Sequence, residues 1–249
     1  MKDVVAVILA GGKGRRMHSM QSKALHKVAD RSMLDWTLDA CQLAGIENVI
    51  VVVGLLSDDI RTHLAHDGHA LNIDIAVQEE PRGTADAVSS AMEKMKALKA
   101  RYAIIIPGDL PNIQAATLKK LMLKRAQKAL LCLTVVRDEP AAYGRIVRDS
   151  KDHVSQIVEF NECTPEQIAI KEVNAGIYSV PIAFLETALP KIDNNNNTGE
   201  YYFTDIIAIA NKENMPVCPI IAEDPGEVMG VNTPDELYLA EAWRKKLSL

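Results

Sequence analysis

The stretch "VVAVILAGGKGRRM" (Val4 to Met17) joins an apolar run to three glycines and three cations. Gly11, Gly12 and Gly14 let the backbone turn tightly and aim its N–H groups at an anion. Lys13, Arg15 and Arg16 add positive charge to that loop, and Lys23 follows a few residues on. Two familiar phosphate loops fail here on residue type. A dinucleotide fingerprint wants glycine or alanine where Met17 stands, and a P-loop wants Gly-Lys-Ser/Thr where Gly12-Lys13 is followed by Gly14. What remains is a basic glycine loop after a strand, suited to a triphosphate that is gripped while it reacts.

Attack of a phosphate monoester on the α-phosphate of a nucleoside triphosphate needs neither a serine nucleophile nor a histidine base, because the nucleophile is already an anion. The obstacle is repulsion, overcome by cations and amides set on the triphosphate and on oxygens that gain charge. Arg16 and Lys23 are groups of that type. In "IIIPGDLP", Asp109 lies two residues past an apolar run, where a carboxylate could hold Mg²⁺ bridging phosphates; its plainer alternative is a turn aspartate capping a helix. Asn232, in "GEVMGVNTPDEL", is a second polar candidate. Asparagine is also favoured at helix starts, so a partner across the site is what would make it a metal ligand.

These residues need elements to position them. Val4 to Leu9 is an unbroken β-branched and aliphatic run, the signature of a strand buried on both faces of a parallel sheet. "SMLDWTLDACQLAG" has helical spacing between an N-cap, Ser32, and a stop, Gly45. The strand "NVIVVVG", a helix from Ser57, the strand "IDIAVQ", a helix from Thr84 and the strand "YAIIIP" follow. This alternation predicts an α/β fold, a Rossmann-like, mostly parallel sheet flanked by helices. Ligands of such sheets bind beyond the carboxyl ends of the strands, so the glycine loop, Gln78 to Thr84 and the Pro107-Gly108-Asp109 turn should meet on one edge. From about residue 130 the pattern turns to strands and turns, predicting a smaller lobe over the site at 130–232. The run "DNNNNTGEYYFTDIIAIA" should open as a solvated loop and become a helix near Tyr201, and a last helix should fill 233–247. The whole of 1–249 thus reads as one domain, with 1–129 as its nucleotide-binding part. No hexapeptide repeat of the kind that builds a left-handed β-helix is present.

Composition narrows the partners. A net charge of −5 gives no support to a nucleic-acid surface, and no apolar run is long enough to span a bilayer. Neither nucleic acid nor a membrane is an expected partner, and a cytoplasmic protein is. Cys41, Cys132, Cys163 and Cys218 stand far apart and are expected to be buried, reduced core residues.

"LAGGKGRRM", "SKALHKVADRSML", "GTADA" five residues after Gln78, "GDLP", "YGRIVRD", "IVE", "EVNAGIY", "NNNNTGEYYFTDIIAIA" and "GVNTPDEL" occur in that order over nearly the whole chain. In this the chain resembles the uridylyltransferase domain of the bacterial N-acetylglucosamine-1-phosphate uridylyltransferases, of the sugar-nucleotide pyrophosphorylase superfamily. The resemblance implies the nucleotide-diphospho-sugar transferase type of fold and formation of UDP-N-acetylglucosamine and pyrophosphate from UTP and N-acetylglucosamine 1-phosphate. It implies Mg²⁺ as cofactor, held by Asp109 and Asn232. Leu9, Ala10, Gly11, Gly12 and Gly14 would cradle the nucleotide, Arg16 and Lys23 engage its phosphates, and Gln78, Gly83 and Thr84 contact the base and ribose. Gly144, Glu159 and Asn174 would bind the sugar hydroxyls and acetamido group, in a smaller sugar-binding lobe closed by Tyr201 and Thr204.

The chain departs from the family pattern at Pro107 in place of tyrosine, at Pro81 in place of a second glutamine, and at Asp86 in place of histidine. "GTADA" also resembles the ADP-glucose pyrophosphorylases. A smaller preference for UTP is therefore expected, with ATP, dTTP or another hexose 1-phosphate as alternatives. A non-catalytic nucleotide-sugar-binding protein ranks lower, because Arg16, Lys23, Asp109 and Asn232 are all present. The acetyltransferase β-helix of bifunctional family members has no counterpart in these residues, so acetyl transfer is not expected.

Overall fold

The computed structural model of the protein describes residues 3–247 apart from Lys13, His18, Met20, Asp67 and 125–127. Chain order begins with β1 (Val4–Leu9), the short ribbon β2 (Lys27–Val28) and β3 (Arg31–Ser32), α1 (Met33–Ala44), β4 (Asn48–Gly54), α2 (Asp58–Ala65) and β5 (Asn72–Gln78). It continues through α3 (Thr84–Ser90), α4 (Met92–Ala97), β6 (Tyr102–Pro107), α5 (Ala115–Lys124), β7 (Leu130–Val136), β8 (Arg145–Arg148) and β9 (Val154–Val158). The remainder is α6 (Pro165–Ile168), β10 (Glu172–Pro181), α7 (Ile182–Ala188), α8 (Ile206–Lys212), β11 (Val217–Ile221) and α9 (Pro234–Leu247).

The main sheet runs β11-β7-β10-β6-β1-β4-β5, with β8 and β9 extending from β10. β1 pairs in parallel with β6 on one side and β4 on the other, as its unbroken apolar run requires. Alternate residues of that run serve two cores: Val4, Ala6 and Ile8 pack on one face, Val5 and Val7 on the other. The helices therefore cover both sides, and the predicted α/β class holds.

The chain lays β4 and β5 to one side of β1 and then returns to place β6 on the other. That reversal opens a crevice past the carboxyl ends of β1 and β6, where Leu9 lies in register with Pro107. β10 is inserted antiparallel between β6 and β7, so its first residues, rather than its last, reach the same edge.

Local signals explain the element ends. Ser32 accepts from the Asp35 amide at 3.0 Å while Asp35 accepts from the Ser32 amide at 3.3 Å, a reciprocal cap on α1. Gly45 closes that helix in the left-handed region at φ 84°. Thr233 and Glu236 make the same reciprocal cap on α9.

Two expectations need correction. The helix expected near Tyr201 begins later, with a single 3₁₀ turn at Phe203–Asp205 and then α8. Tyr201 is held extended by backbone hydrogen bonds to the segment before α3, which stops the helix from starting there. All four cysteines are free as expected, but only Cys41 and Cys132 are buried; Cys163 and Cys218 are half-buried, near the edge of the lobe and on the edge strand β11.

Candidate active site

A cavity of about 680 Å³ opens beyond the carboxyl ends of β1, β5 and β6. Leu9, Ala10, Gly11, Gly12 and Gly14 form one wall, and Arg16 and Lys23 also line it. The loop is pinned at both shoulders: the Ala10 amide donates to Val52 O at 2.8 Å, and the Gly108 amide donates to Leu9 O at 2.9 Å. Gly14 adopts φ +55°, and a Cβ there would come within 2.9 Å of the Lys23 Cβ, so glycine lets Lys23 approach the loop. Arg16 belongs to a 3₁₀ turn, Arg15–Met17, whose Met17 is buried, so the residue that breaks the dinucleotide pattern is an anchor. Lys13 lies outside the described residues.

Asp109 and Asn232 do converge, and Lys23 brings them together. Its ammonium donates to an Asp109 carboxylate oxygen and, at 2.9 Å, to Asn232 Oδ1. The approach of the two segments is fixed in the backbone, where the Val231 amide donates to Asp109 O at 3.0 Å. Asn232 is held in turn by Glu236, which accepts from its amide at 2.6 Å. Two oxygen donors thus face one cation. That is a donor set suited to Mg²⁺, which takes oxygen ligands and binds few protein groups, and the ammonium shows that the pair attracts positive charge. No group of three or more His, Cys, Asp or Glu side chains placed to hold a metal occurs among the described residues.

On the far side of the glycine loop, Gln78 ends β5 with its side chain buried, and Gly83 and Thr84 begin α3. Gly83 is at φ +130°, and a Cβ there would come within 2.5 Å of Tyr201 O. The Tyr201 amide donates to Arg82 O at 2.8 Å and its carbonyl accepts from Ala85 at 2.9 Å. Thr84 Oγ1 accepts from the Phe203 amide at 2.9 Å. The segment expected to hold the base is therefore clipped to the segment expected to close over the sugar.

Glu159, Asn174 and Thr204 line the other end of the cavity. Thr204 Oγ1 donates to Glu159 Oε1 at 2.9 Å, and burial raises the Glu159 carboxyl above the ordinary carboxylate range. Asn174 is fixed through the Gly176 amide, which donates to its Oδ1 at 2.9 Å. Gly144 sits behind this group: its carbonyl accepts from the Asn174 amide at 2.9 Å, and a Cβ on it would lie 3.5 Å from Glu159 Oε2. Tyr201, Gly144 and Asn232 are not themselves part of the cavity wall; Tyr201 contributes backbone clips.

Sequence reasoning missed Tyr178. It is 3 % exposed, lines the cavity and packs edge-on to Phe203 with ring centroids 5.1 Å apart. The signal was the period of two: Asn174, Gly176 and Tyr178 alternate along β10 and all reach the cavity.

A second cavity, about 550 Å³, lies between α1 and α2 and is lined by Asp35, Asp39, His63, His66 and His69 among others. Its polar groups satisfy one another. His63 Nε2 pairs with Asp35 at 2.7 Å, His69 Nε2 with Asp39 at 2.8 Å, and His66 Nδ1 with Thr62 O at 2.9 Å.

The family model described as nucleotidyl transferase matches residues 5–243. The chain is 41 % identical over 241 residues to the bifunctional protein GlmU of Trichlorobacter lovleyi, covering 96 % of this chain and 51 % of that protein. It is 41 % identical over 246 residues to the GlmU of Geobacter metallireducens, covering 98 % and 50 %, and 37 % identical over 243 residues to that of Clostridium tetani, covering 97 % and 52 %. The chain spans about half the length of the curated relatives it matches.

Proposed function

The chain belongs to the nucleotidyl transferase family, and from that premise we propose that it joins UTP to N-acetylglucosamine 1-phosphate, giving UDP-N-acetylglucosamine and pyrophosphate. The observation that carries this reading is a single cavity lined at one end by a basic glycine loop and at the other by Glu159, Asn174 and Thr204. One large pocket with two chemically different ends is what a bisubstrate transfer needs.

The amides of the Leu9 to Gly14 segment orient the triphosphate. Arg16 and Lys23 screen its charge so that the sugar phosphate, itself an anion, can approach in line. An oxygen of the sugar phosphate forms a bond to the α-phosphorus, the bond from that phosphorus to the β-bridging oxygen breaks, and pyrophosphate leaves with the electron pair. Charge grows on the departing oxygens, where a fixed cation stabilises the transition state more than the ground state. Glu159 accepts hydrogen bonds from sugar hydroxyls, and Asn174 and Thr204 fix the ring so that its phosphate points at the reacting centre. Asp109 and Asn232 would hold Mg²⁺, which supplies charge neutralisation of the phosphates when bound.

No helix among the described residues is long and apolar enough to cross a membrane. The four free cysteines fit a reducing compartment, and we place the activity in the cytoplasm. The test is pyrophosphate release over a grid of nucleoside triphosphates and sugar 1-phosphates. The reading expects the UTP and N-acetylglucosamine 1-phosphate pair to be fastest; no turnover of that pair would refute it.

A further inference from the structure

We propose that Asp86 selects the nucleotide base without touching it, by locking the side-chain amide of Gln78 with its oxygen toward the base. The proposal deepens the uridylyl reading and rests on its placement of the base at Gln78.

The Gln78 Nε2 group donates to Gly83 O at 3.0 Å and to Asp86 Oδ2 at 2.9 Å. Both partners are acceptors only, so the nitrogen must face them. A flipped amide would set its oxygen against a carbonyl and a carboxylate. Arg82 holds Asp86 in place, with Nε at 3.1 Å and Nη2 at 2.7 Å from Asp86 Oδ1.

The consequence lies at the other end of the amide. No described residue donates to Gln78 Oε1, which sits beside the glycine loop, where a Cβ on Gly11 would come within 3.3 Å of it. Gln78 is 6 % exposed and is part of the cavity wall. A base that enters here meets a fixed acceptor and no donor from Gln78. Uracil and thymine answer it with the ring imide N3–H. Cytosine presents a lone pair at N3, and adenine presents one at N1, so at the ring position both meet oxygen with unshared electrons and only their exocyclic amines can donate. A buried polar group left unpaired in this way discriminates strongly.

The lock can be weakened by one atom. In Asp86→Asn the new amide can donate to Gln78 Oε1, so the carboxylate no longer opposes the flipped orientation and only the Gly83 carbonyl does. Asp86→Glu keeps an acceptor at that place and is the conservative control.

The experiment measures UTP, dTTP, ATP and CTP two ways: calorimetric affinity without sugar phosphate, and kcat/KM with N-acetylglucosamine 1-phosphate. Wild type should favour UTP or dTTP over CTP, and Asp86→Asn should shrink that ratio at least tenfold while Asp86→Glu largely restores it. Gln78→Ala should lose the ratio as well, and adding Asp86→Asn to it should change nothing further, because Asp86 acts through Gln78. If Asp86→Asn folds poorly, Gln78→Ala decides the matter on its own: an undiminished UTP-to-CTP ratio in it overturns the proposal. The proposal is overturned if Asp86→Asn weakens all nucleotides by one common factor, the result for a residue that merely supports the loop. It is also overturned if wild type binds CTP or ATP better than UTP and dTTP. Selective binding of UTP without turnover, or a best rate with dTTP, would sink the uridylyl reading and leave this one standing.

Discussion

The Lys23 ammonium donates to Asn232 Oδ1 at 2.9 Å and also to the Asp109 carboxylate, so one lysine joins the two residues expected to hold a divalent cation. A divalent cation held there would compete with Lys23 for the same oxygens. Removing the lysine should therefore tighten metal binding to the protein alone while slowing the reaction. Lys23→Ala is expected to bind Mn²⁺ more tightly than wild type by titration calorimetry without nucleotide, and to lose about a hundredfold in kcat. Unchanged or weaker Mn²⁺ binding would show that the lysine does not compete.

Asp109→Asn keeps the shape of the side chain and removes its charge. It should reduce kcat by about a thousandfold, roughly 4 kcal/mol of transition-state stabilisation. The lost charge-assisted contact should cost about 2 kcal/mol of stability, leaving the fold intact by circular dichroism and thermal melting. Near-normal turnover would remove Asp109 from the metal pair.

Arg16 is exposed on the cavity wall, whereas its neighbour Met17 is buried. Arg16→Ala should lower kcat by about a hundredfold, more than it raises KM for the nucleotide, if the guanidinium meets charge that develops during transfer. Wild-type kcat would make it a solvated surface charge.

Gly83→Ala tests the clip between the two substrate segments. The left-handed backbone and the 2.5 Å approach to Tyr201 O leave no room for a methyl group, so the clip must open. The expected result is a destabilisation of about 2 kcal/mol in denaturant melts together with an increased KM for both substrates. A change in the nucleotide KM alone would argue against the coupling.

Burial raises the Glu159 carboxyl, with the Thr204 hydrogen bond acting in the opposite direction. If the ionised form accepts from sugar hydroxyls, KM for the sugar phosphate should rise as pH falls through that raised value. Glu159→Gln should have a weaker but pH-independent affinity over the same range. The stability effect has the opposite sign. Native Glu159 holds its proton at pH values where the unfolded chain has released it, so its contribution falls as pH rises from the ordinary carboxylate value through the raised one. Glu159→Gln should therefore lose less of its stability over that window than wild type does, as thermal melts at stepped pH would show.

The parts of the site legible in the sequence were those written in contiguous residues. The glycine loop after β1, the Pro107-Gly108-Asp109 turn and the start of α3 each follow a strand, and one sheet edge gathers them. The ends of α1 were legible for the same reason, since Ser32, Asp35 and Gly45 act within a turn or two of themselves. What was not legible depends on pairing between distant segments. Lys23 and Asn232 are 209 residues apart, and nothing local in either tells that they touch. Tyr201 was expected to help close the sugar pocket, and its backbone clips to Arg82 and Ala85 depend on how α3 lands. Asp86 was visible as a departure from a pattern, but its hold on Gln78 required the helix to be placed against the end of β5.

β10 is hydrogen-bonded to β6 along one edge and to β7 along the other. A hinge between the nucleotide half and the sugar half would have to cut through one of those ladders, severing several bonds at once. The strands β6, β10 and β7 are therefore one plate and not a pair of jaws, with the β8–β9 arm joined to it at the Val173–Arg145 pair. Closure over bound substrates falls to that arm and to the loops at the sheet edge, so scattering profiles with and without substrates should keep nearly the same radius of gyration while amide exchange slows in the 81–84 and 198–204 segments.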